Sequence, residues 1–396
     1  MKVLQINSVC GYGSTGRIVT DLYKTLNENG HDCVIAYGRG TAPNGIKTIK
    51  IGNKMDIYLH AILSKLFDKH GYGSKKATKK LIKDIEIYNP DIIHLHNIHG
   101  YYINLEILFN YLEKNNKTVI WTLHDCWSFT GHCAHFDYIQ CTKWKNQCKK
   151  CPQKRSYPNS MFIDNSKKNF YLKHKLFTNI NNLTIVTPSK WLAKLVKESF
   201  LNKYNVEVIY NGIDLDVFKP TPSEFKREYN LENKKVILGV ASNWKLRKGL
   251  DTFGKLAQEL DDSYKIILIG INKNDRKKIP ANILTIKRTN NVEELAKFYT
   301  LADMFINPTL EDNFPTTNIE SLACGTPVIT YKTGGSPEAV NEKSGVVVEK
   351  QDFKELVKVI KQFNKKNYTG CIEQAKKFEK RDQYNKYIEL YEKVKK

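Results

Sequence analysis

Short apolar runs alternate with stretches of 3.6-residue period from one end of the chain to the other. That alternation predicts βαβ units, because parallel strands buried on both faces read as near-continuous Val/Ile/Leu runs and their crossover helices are amphipathic. In the first half the strand candidates are Val3–Ile6, Cys33–Tyr37, Ile92–Leu95, Val119–Leu123 and Leu183–Val186. After residue 206 a second series follows: Val206–Ile209, Val236–Val240, Lys265–Ile269, Ile283–Ile286, Met304–Ile306, Val328–Tyr331 and Val346–Val348. The pattern predicts two doubly wound, Rossmann-like α/β domains in tandem, with the boundary at Tyr210-Asn211-Gly212-Ile213-Asp214, a strand end in a turn dipeptide. The first helix shows Ser14 or Thr15 as its cap, Ile18, Leu22 and Leu26 on one face, and Gly30 as its stop. The last segment, Ala375 to Lys396, sets Phe378, Tyr384, Tyr387, Ile388 and Tyr391 among charges and reads as an amphipathic helix that must pack on something.

A length of 396 residues allows two such cores, and 41% hydrophobic residues exclude a disordered chain. The N-terminus runs straight into polar residues and no apolar stretch reaches the ~18 residues of a membrane span, so the sequence reads as cytoplasmic. A net charge of +22 invites a nucleic-acid reading, yet only eight of the 63 basic residues are Arg, the side chain that sequence-reading interfaces depend on. The positive field suits anions instead, either phosphorylated metabolites or an anionic membrane surface.

Candidate chemistry starts at Gly11-Tyr12-Gly13-Ser14-Thr15-Gly16, a GxGxxG that follows a strand and opens a helix, where backbone N–H groups can face a phosphate. Two other readings stand beside it, a tight turn without a ligand and an NADP-dependent oxidoreductase with Arg39 against a 2′-phosphate. The denser constellation runs from Asn307 to Ile329. It places Asp312 on a loop, Pro315 as the first residue of a short helix, Glu320 within that helix and Gly325 at its end. Carboxylates there suit sugar and ribose hydroxyls, and the helix N-terminus suits a phosphate.

At these residues the chain resembles the retaining glycosyltransferases of the GT-B fold, family 4, whose second domain carries an E-x7-E motif. Asp312 and Glu320 have that spacing, with Asp in place of the first Glu and Glu311 one residue out of register. Gly325-Thr326-Pro327-Val328-Ile329 and Gly334-Gly335-Ser336-Pro337-Glu338 resemble the blocks that follow. Ala241 to Leu250 resembles the pyrophosphate site: Lys248 matches its Lys, Ser242 stands where Arg is usual, and Arg247 or Lys245 can supply the second charge. The resemblance implies two domains facing each other across a cleft, 1–212 and 213–375, with a C-terminal helix, 376–396, that packs back onto the first. It implies a diphosphate on Arg247, Lys248 and the helix start at Asn313, Phe314, Pro315 and Thr316, a ribose on Glu320, and a sugar facing Asp312, Gly13, Gly16 and His124. It also implies retention, with the departing phosphate taking the acceptor's proton, and no catalytic metal.

Other polar strand ends lie in the first half. His96, Asn97 and His99 are the candidate acceptor contacts. Cys126, Cys133, Cys141, Cys148 and Cys151 follow, in a stretch that resembles an insert of capsule and colanic-acid type family members. Cys133, Cys141, Cys148 and Cys151 can hold a structural zinc or remain reduced buried thiols. The Met55–Phe67 segment is apolar at helical spacing beside a Lys-rich stretch, and Lys143–Arg155 is basic without an acid; both suit either an anionic membrane surface or a solvated face. The expected activity is transfer of a hexose-type sugar from a nucleotide-diphosphate sugar to a lipid-linked glycan acceptor in surface-polysaccharide synthesis. The expected location is cytoplasmic or peripheral at the membrane, with no nucleic-acid partner.

Overall fold

A computed structural model describes residues 1–244 and 246–395. The chain divides into two compact units, Met1–Tyr210 with Gln383–Lys396, and Asn211–Asp382. In chain order the first unit holds β1 (Lys2–Val9), α1 (Gly13–Glu28), β2 (Asp32–Arg39), β3 (Thr48–Lys50), α2 (Lys54–Phe67), α3 (Lys75–Tyr88), β4 (Ile92–Leu95), α4 (Leu105–Lys114), β5 (Val119–Thr122), α5 (Ser166–Phe177), β6 (Leu183–Thr187), α6 (Lys190–Lys197) and β7 (Asn205–Val208). The second holds α7 (Phe225–Glu228), β8 (Lys235–Val240), α8 (Leu250–Glu259), β9 (Tyr264–Ile269), α9 (Lys273–Arg276), β10 (Leu284–Ile286), α10 (Val292–Leu301), β11 (Met304–Asn307), α11 (Thr316–Ala323), β12 (Val328–Tyr331), β13 (Gly345–Val348), α12 (Phe353–Gln362) and α13 (Cys371–Lys376). The final helix, α14 (Lys380–Lys395), begins in the second unit and ends in the first.

In the first unit seven parallel strands lie in the order β3-β2-β1-β4-β5-β6-β7. Alternate residues feed two cores, because side chains of a strand point to opposite faces. Leu4, Ile6, Ile93, Leu95 and Trp121 enter one core; Val3, Ile35, Ile92 and Ile120 enter the other, where Tyr384, Tyr387, Ile388 and Tyr391 of α14 complete it. Buried hydroxyls anchor that helix: Tyr391 Oη pairs with His94 Nδ1 at 2.6 Å, and Tyr387 Oη with Thr122 Oγ1 at 3.1 Å. The second unit has six parallel strands, β10-β9-β8-β11-β12-β13, over a core that includes Ile237, Phe253, Leu268, Ile306, Ile329 and Leu356.

Several expectations are corrected. Val206–Ile209, placed with the second series, is β7 and closes the first sheet through Thr184↔Asn205 to Thr187↔Val208. The first helix starts at Gly13 with no side-chain cap, so neither Ser14 nor Thr15 plays that part. Pro315 is not the first helical residue but the extended N-cap of α11, at φ −72° and ψ 114°. The C-terminal segment is not one helix: Ile213 N donates to Phe378 O and Lys380 N to Ile213 O, and this bridge interrupts the helical ladder between α13 and α14. In α2 the buried side chains are His60 and Ser64, whereas Met55, Tyr58, Leu59 and Phe67 are exposed.

Candidate active site

In a doubly wound sheet, ligands bind beyond the carboxyl ends of the strands where the strand order reverses. The reversal falls between β8 and β11 in the second unit and between β1 and β4 in the first. The loops that leave those strands are 241–249 and 308–315, and 10–12 and 96–104.

At the β8/β11 position the two loops are tied together. Leu310 N and Thr309 Oγ1 donate to the Arg247 carbonyl at 2.7 and 3.1 Å, and Arg247 Nη1 donates to the Glu311 carbonyl at 3.1 Å. Lys248 forms an ion pair with Asp312 Oδ2. Two of the closest approaches require glycine: Gly249 and Gly334 have φ of +75° and +55°, and a Cβ would collide with the carbonyl oxygens of Pro308 and Asp312. Asn313 and Phe314 are buried beside the start of α11, with Phe314 against Phe378 at a centroid distance of 5.5 Å, and α11 opens at Thr316 after Pro315 without a side-chain cap. Glu320 Oε2 accepts from Tyr299 Oη at 2.9 Å; burial and this carboxylate together push the Tyr299 phenol well above its ordinary range. The chemistry on offer is two fixed cations, an uncapped helix start and two carboxylates held by partners, a set suited to a diphosphate and to sugar hydroxyls. Glu311 is buried and offers its carbonyl to Arg247, whereas the carboxylate of Asp312 meets Lys248. Lys245 lies outside the described residues.

At the β1/β4 position, Gly11 N donates to Gly16 O at 3.0 Å and Gly13 holds φ +66°, which shapes the turn from which α1 departs. His96, Asn97, His99, His124 and Asp125 line one small cavity at the ends of β4 and β5. His124 Nε2 meets His96 Nδ1 at 3.1 Å, and the rings stack at 5.4 Å and 14°. His96 Nε2 continues to Gln5 Oε1 at 3.2 Å, and its carbonyl accepts from Trp121 Nε1. Burial lowers the pKa of His124 to about 4, so its ring is neutral near pH 7. His99 bridges Tyr157 Oη at 2.9 Å and Asp125 Oδ2 at 2.8 Å. Burial alone would raise the Asp125 carboxyl, but the His99 ring overrides it and brings the pKa down to about 2. The structure therefore brings together His96, Asn97, His99 and His124 in one unit, and Arg247, Lys248, Asp312 and the Asn313–Thr316 turn in the other.

Sequence reasoning missed Tyr157 and Tyr299, which reach His99 and Glu320 only through the fold. Cys133, Cys141, Cys148 and Cys151 line a further cavity with His132; among the described residues no three His, Cys, Asp or Glu side chains are gathered as a bound metal gathers them.

Comparison with known proteins identifies the family. Residues 15–217 match the family model "Glycosyltransferase Family 4", and residues 222–387 match "Glycosyl transferases group 1". The chain belongs to glycosyltransferase family 4, and it is a glycosyltransferase. It is 26% identical over 381 residues to the putative colanic acid biosynthesis glycosyl transferase WcaC of Escherichia coli K12, covering 91% of this chain and 90% of that one. Among solved structures it resembles sucrose-phosphate synthase from Thermosynechococcus elongatus (TM-score 0.72, 16% identity, 99% and 98% of the two chains). It also resembles Anabaena HepE in complex with UDP (TM-score 0.71, 14% identity, 99% and 100%). These likenesses show the fold, which is GT-B. The oxidoreductase reading of the Gly11–Gly16 loop has no support from any of these relatives.

Proposed function

We propose that the enzyme moves a hexose-type sugar, with retention, from a nucleoside-diphosphate sugar to a lipid-linked glycan in surface-polysaccharide synthesis. The observation that carries this reading is the convergence of Arg247, Lys248, Asp312 and the start of α11 at the strand-order reversal of the second unit. The name of WcaC and the UDP seated in HepE support the pathway and the donor class. Lys248 leaves Asp312 to meet the diphosphate, and Arg247 and the α11 N–H groups share its charge as the bond to the sugar breaks, the kind of fixed charge that stabilises a leaving group without a cation. Asp312 serves the sugar's hydroxyls, and Glu320, steadied by Tyr299, takes the ribose. The acceptor oxygen attacks from the face the phosphate leaves, and its proton passes to that phosphate. His124, neutral beside His96, together with Gly13 and Gly16 serves the sugar, and Asn97 and His99 serve the acceptor.

An anionic membrane fits the exposed side of α2. Met55, Tyr58 and Leu59 stand exposed there, and Met161 N donates to Lys65 O at 2.8 Å, which sets the exposed Met161, Phe162 and Ile163 beside the helix. Lys54, Lys65 and Lys69, at the start of the helix, near its end and just beyond it, are exposed as well. No described helix is long and apolar enough to cross a membrane.

The test is thermal stabilisation by UDP, GDP, ADP, CMP and their sugar conjugates, on the wild type and on Glu320→Ala. The reading expects one nucleoside diphosphate to stabilise the wild type selectively and Glu320→Ala to lose most of that shift. Equal stabilisation of both proteins, or none by any diphosphate, refutes it.

A further inference from the structure

The cysteine-rich insert has no task in the sugar-transfer chemistry, yet it brings four thiols and a histidine to the lining of one cavity. Cys133, Cys141, Cys148 and Cys151 line one cavity of ≈ 10 Å³, room for a single water-sized occupant. The Cys133 and Cys151 thiols touch through a hydrogen bond. Into the same lining comes His132, whose side chain is fully buried. Its Nδ1 is committed to Asp68 Oδ1 at 2.6 Å, and its Nε2 has no hydrogen-bond partner. Leaving a buried polar nitrogen unpaired costs ~1–3 kcal/mol, so the fold retains this ring for something that can occupy the cavity. Lys173 adds a second sign. Its buried Nζ donates to the Trp127 and Thr130 carbonyls at 2.7 and 3.1 Å and lies 3.3 Å from the centre of the Trp127 ring. Thiolates near this amine would favour its charged form.

We infer that Cys133, Cys141, Cys148 and Cys151 hold a structural zinc ion, with the unpaired His132 Nε2 turned to the same cavity. Zinc draws the four sulfurs into a tetrahedron, and each thiol gives its proton to solvent on binding. The ion would fasten the segment that ends in Tyr157, the residue that holds His99. This inference stands apart from the donor and acceptor reading, since it concerns neither.

The experiment uses the full chain, purified without chelators or metal resin. Elemental analysis is expected to find zinc equimolar with protein. Cobalt(II) exchanged for it should give the intense visible spectrum of tetrahedral thiolate ligation, and a chelator should lower the melting temperature until zinc is restored. The Cys148→Ser, Cys151→Ser double variant should lose the metal, and Cys324→Ser, whose thiol lies outside the cluster, should keep it. Where the double variant fails to fold, the wild-type stoichiometry and cobalt spectrum decide. Wild-type protein that contains no zinc and takes up neither zinc nor cobalt overturns the inference, as does a Cys133–Cys151 disulfide in the freshly purified chain.

Discussion

His60 makes the first unit acid-sensitive in a way that one substitution can isolate. Its ring lies in the buried side of α2, with Nε2 accepting from Gly71 N at 3.1 Å and Gly73 N at 3.2 Å while Nδ1 pairs with Ser74 Oγ at 2.9 Å. Two donors on one nitrogen leave it no room for a proton, and burial takes the pKa from about 6.5 to about 4. The folded value lies below the unfolded one, so between pH 6.5 and 4 the unfolded chain binds one more proton than the native chain, and stability falls as pH falls. At ~1.4 kcal/mol per pH unit the loss approaches ~3 kcal/mol across that window, a large part of a stability of ~5–15 kcal/mol. The buried rings of His70, His94, His96 and His124 shift in the same direction and add to the slope. Urea unfolding followed by tryptophan fluorescence from pH 7.5 to 5 measures it. His60→Gln keeps an acceptor oxygen for Gly71 and Gly73 but cannot titrate. The variant should be less stable than wild type at pH 7.5, and its slope of stability against pH should be smaller by up to ~1.4 kcal/mol per unit. An unchanged slope in the variant would refute the argument.

Further outcomes follow from single contacts. Tyr391→Phe leaves the buried His94 Nδ1 without its 2.6 Å partner and should cost ~1–3 kcal/mol, read as a fall in melting temperature of a few degrees. Gly334→Ala puts a side chain at φ +55° against the Asp312 carbonyl; the backbone alone costs ~1–2 kcal/mol, and calorimetry should show donor binding weakened as the Asp312 loop is displaced. Binding to anionic vesicles should weaken with added salt and fall further in Leu59→Asp or Phe162→Asp, and co-sedimentation that is equal on neutral and anionic vesicles would dismiss the membrane patch.

Strand content was legible because both sheets are parallel and buried, so β1, β4, β5 and β12 stand out as runs of Val, Ile and Leu. Thr48–Lys50 escaped notice because a three-residue edge strand with exposed ends carries no apolar run. Apolar periodicity in α2 says that one side is hydrophobic but not that this side faces outward, because the residues buried there, His60 and Ser64, are fixed by the loops at Gly71 and Ser74. The Asn307–Gly325 stretch was readable since its parts are neighbours in sequence: strand end, loop, cap and helix follow within one βα unit. Glu320 with Tyr299, His99 with Tyr157, and Asp68 with His132 were not readable, because each pair is 21 or more residues apart and only the packed sheets bring them together. Local patterns therefore reveal which residues carry the chemistry and miss the partners that orient them.

The most direct test of the account is the anomeric configuration of the transferred sugar. With the donor identified by the nucleotide panel and a lipid-linked acceptor fraction supplied, proton NMR of the first product resolves the new linkage. The account predicts the anomer of the donor, with transfer strongly reduced in Lys248→Ala. The inverted anomer, or transfer undiminished in that variant, would contradict it.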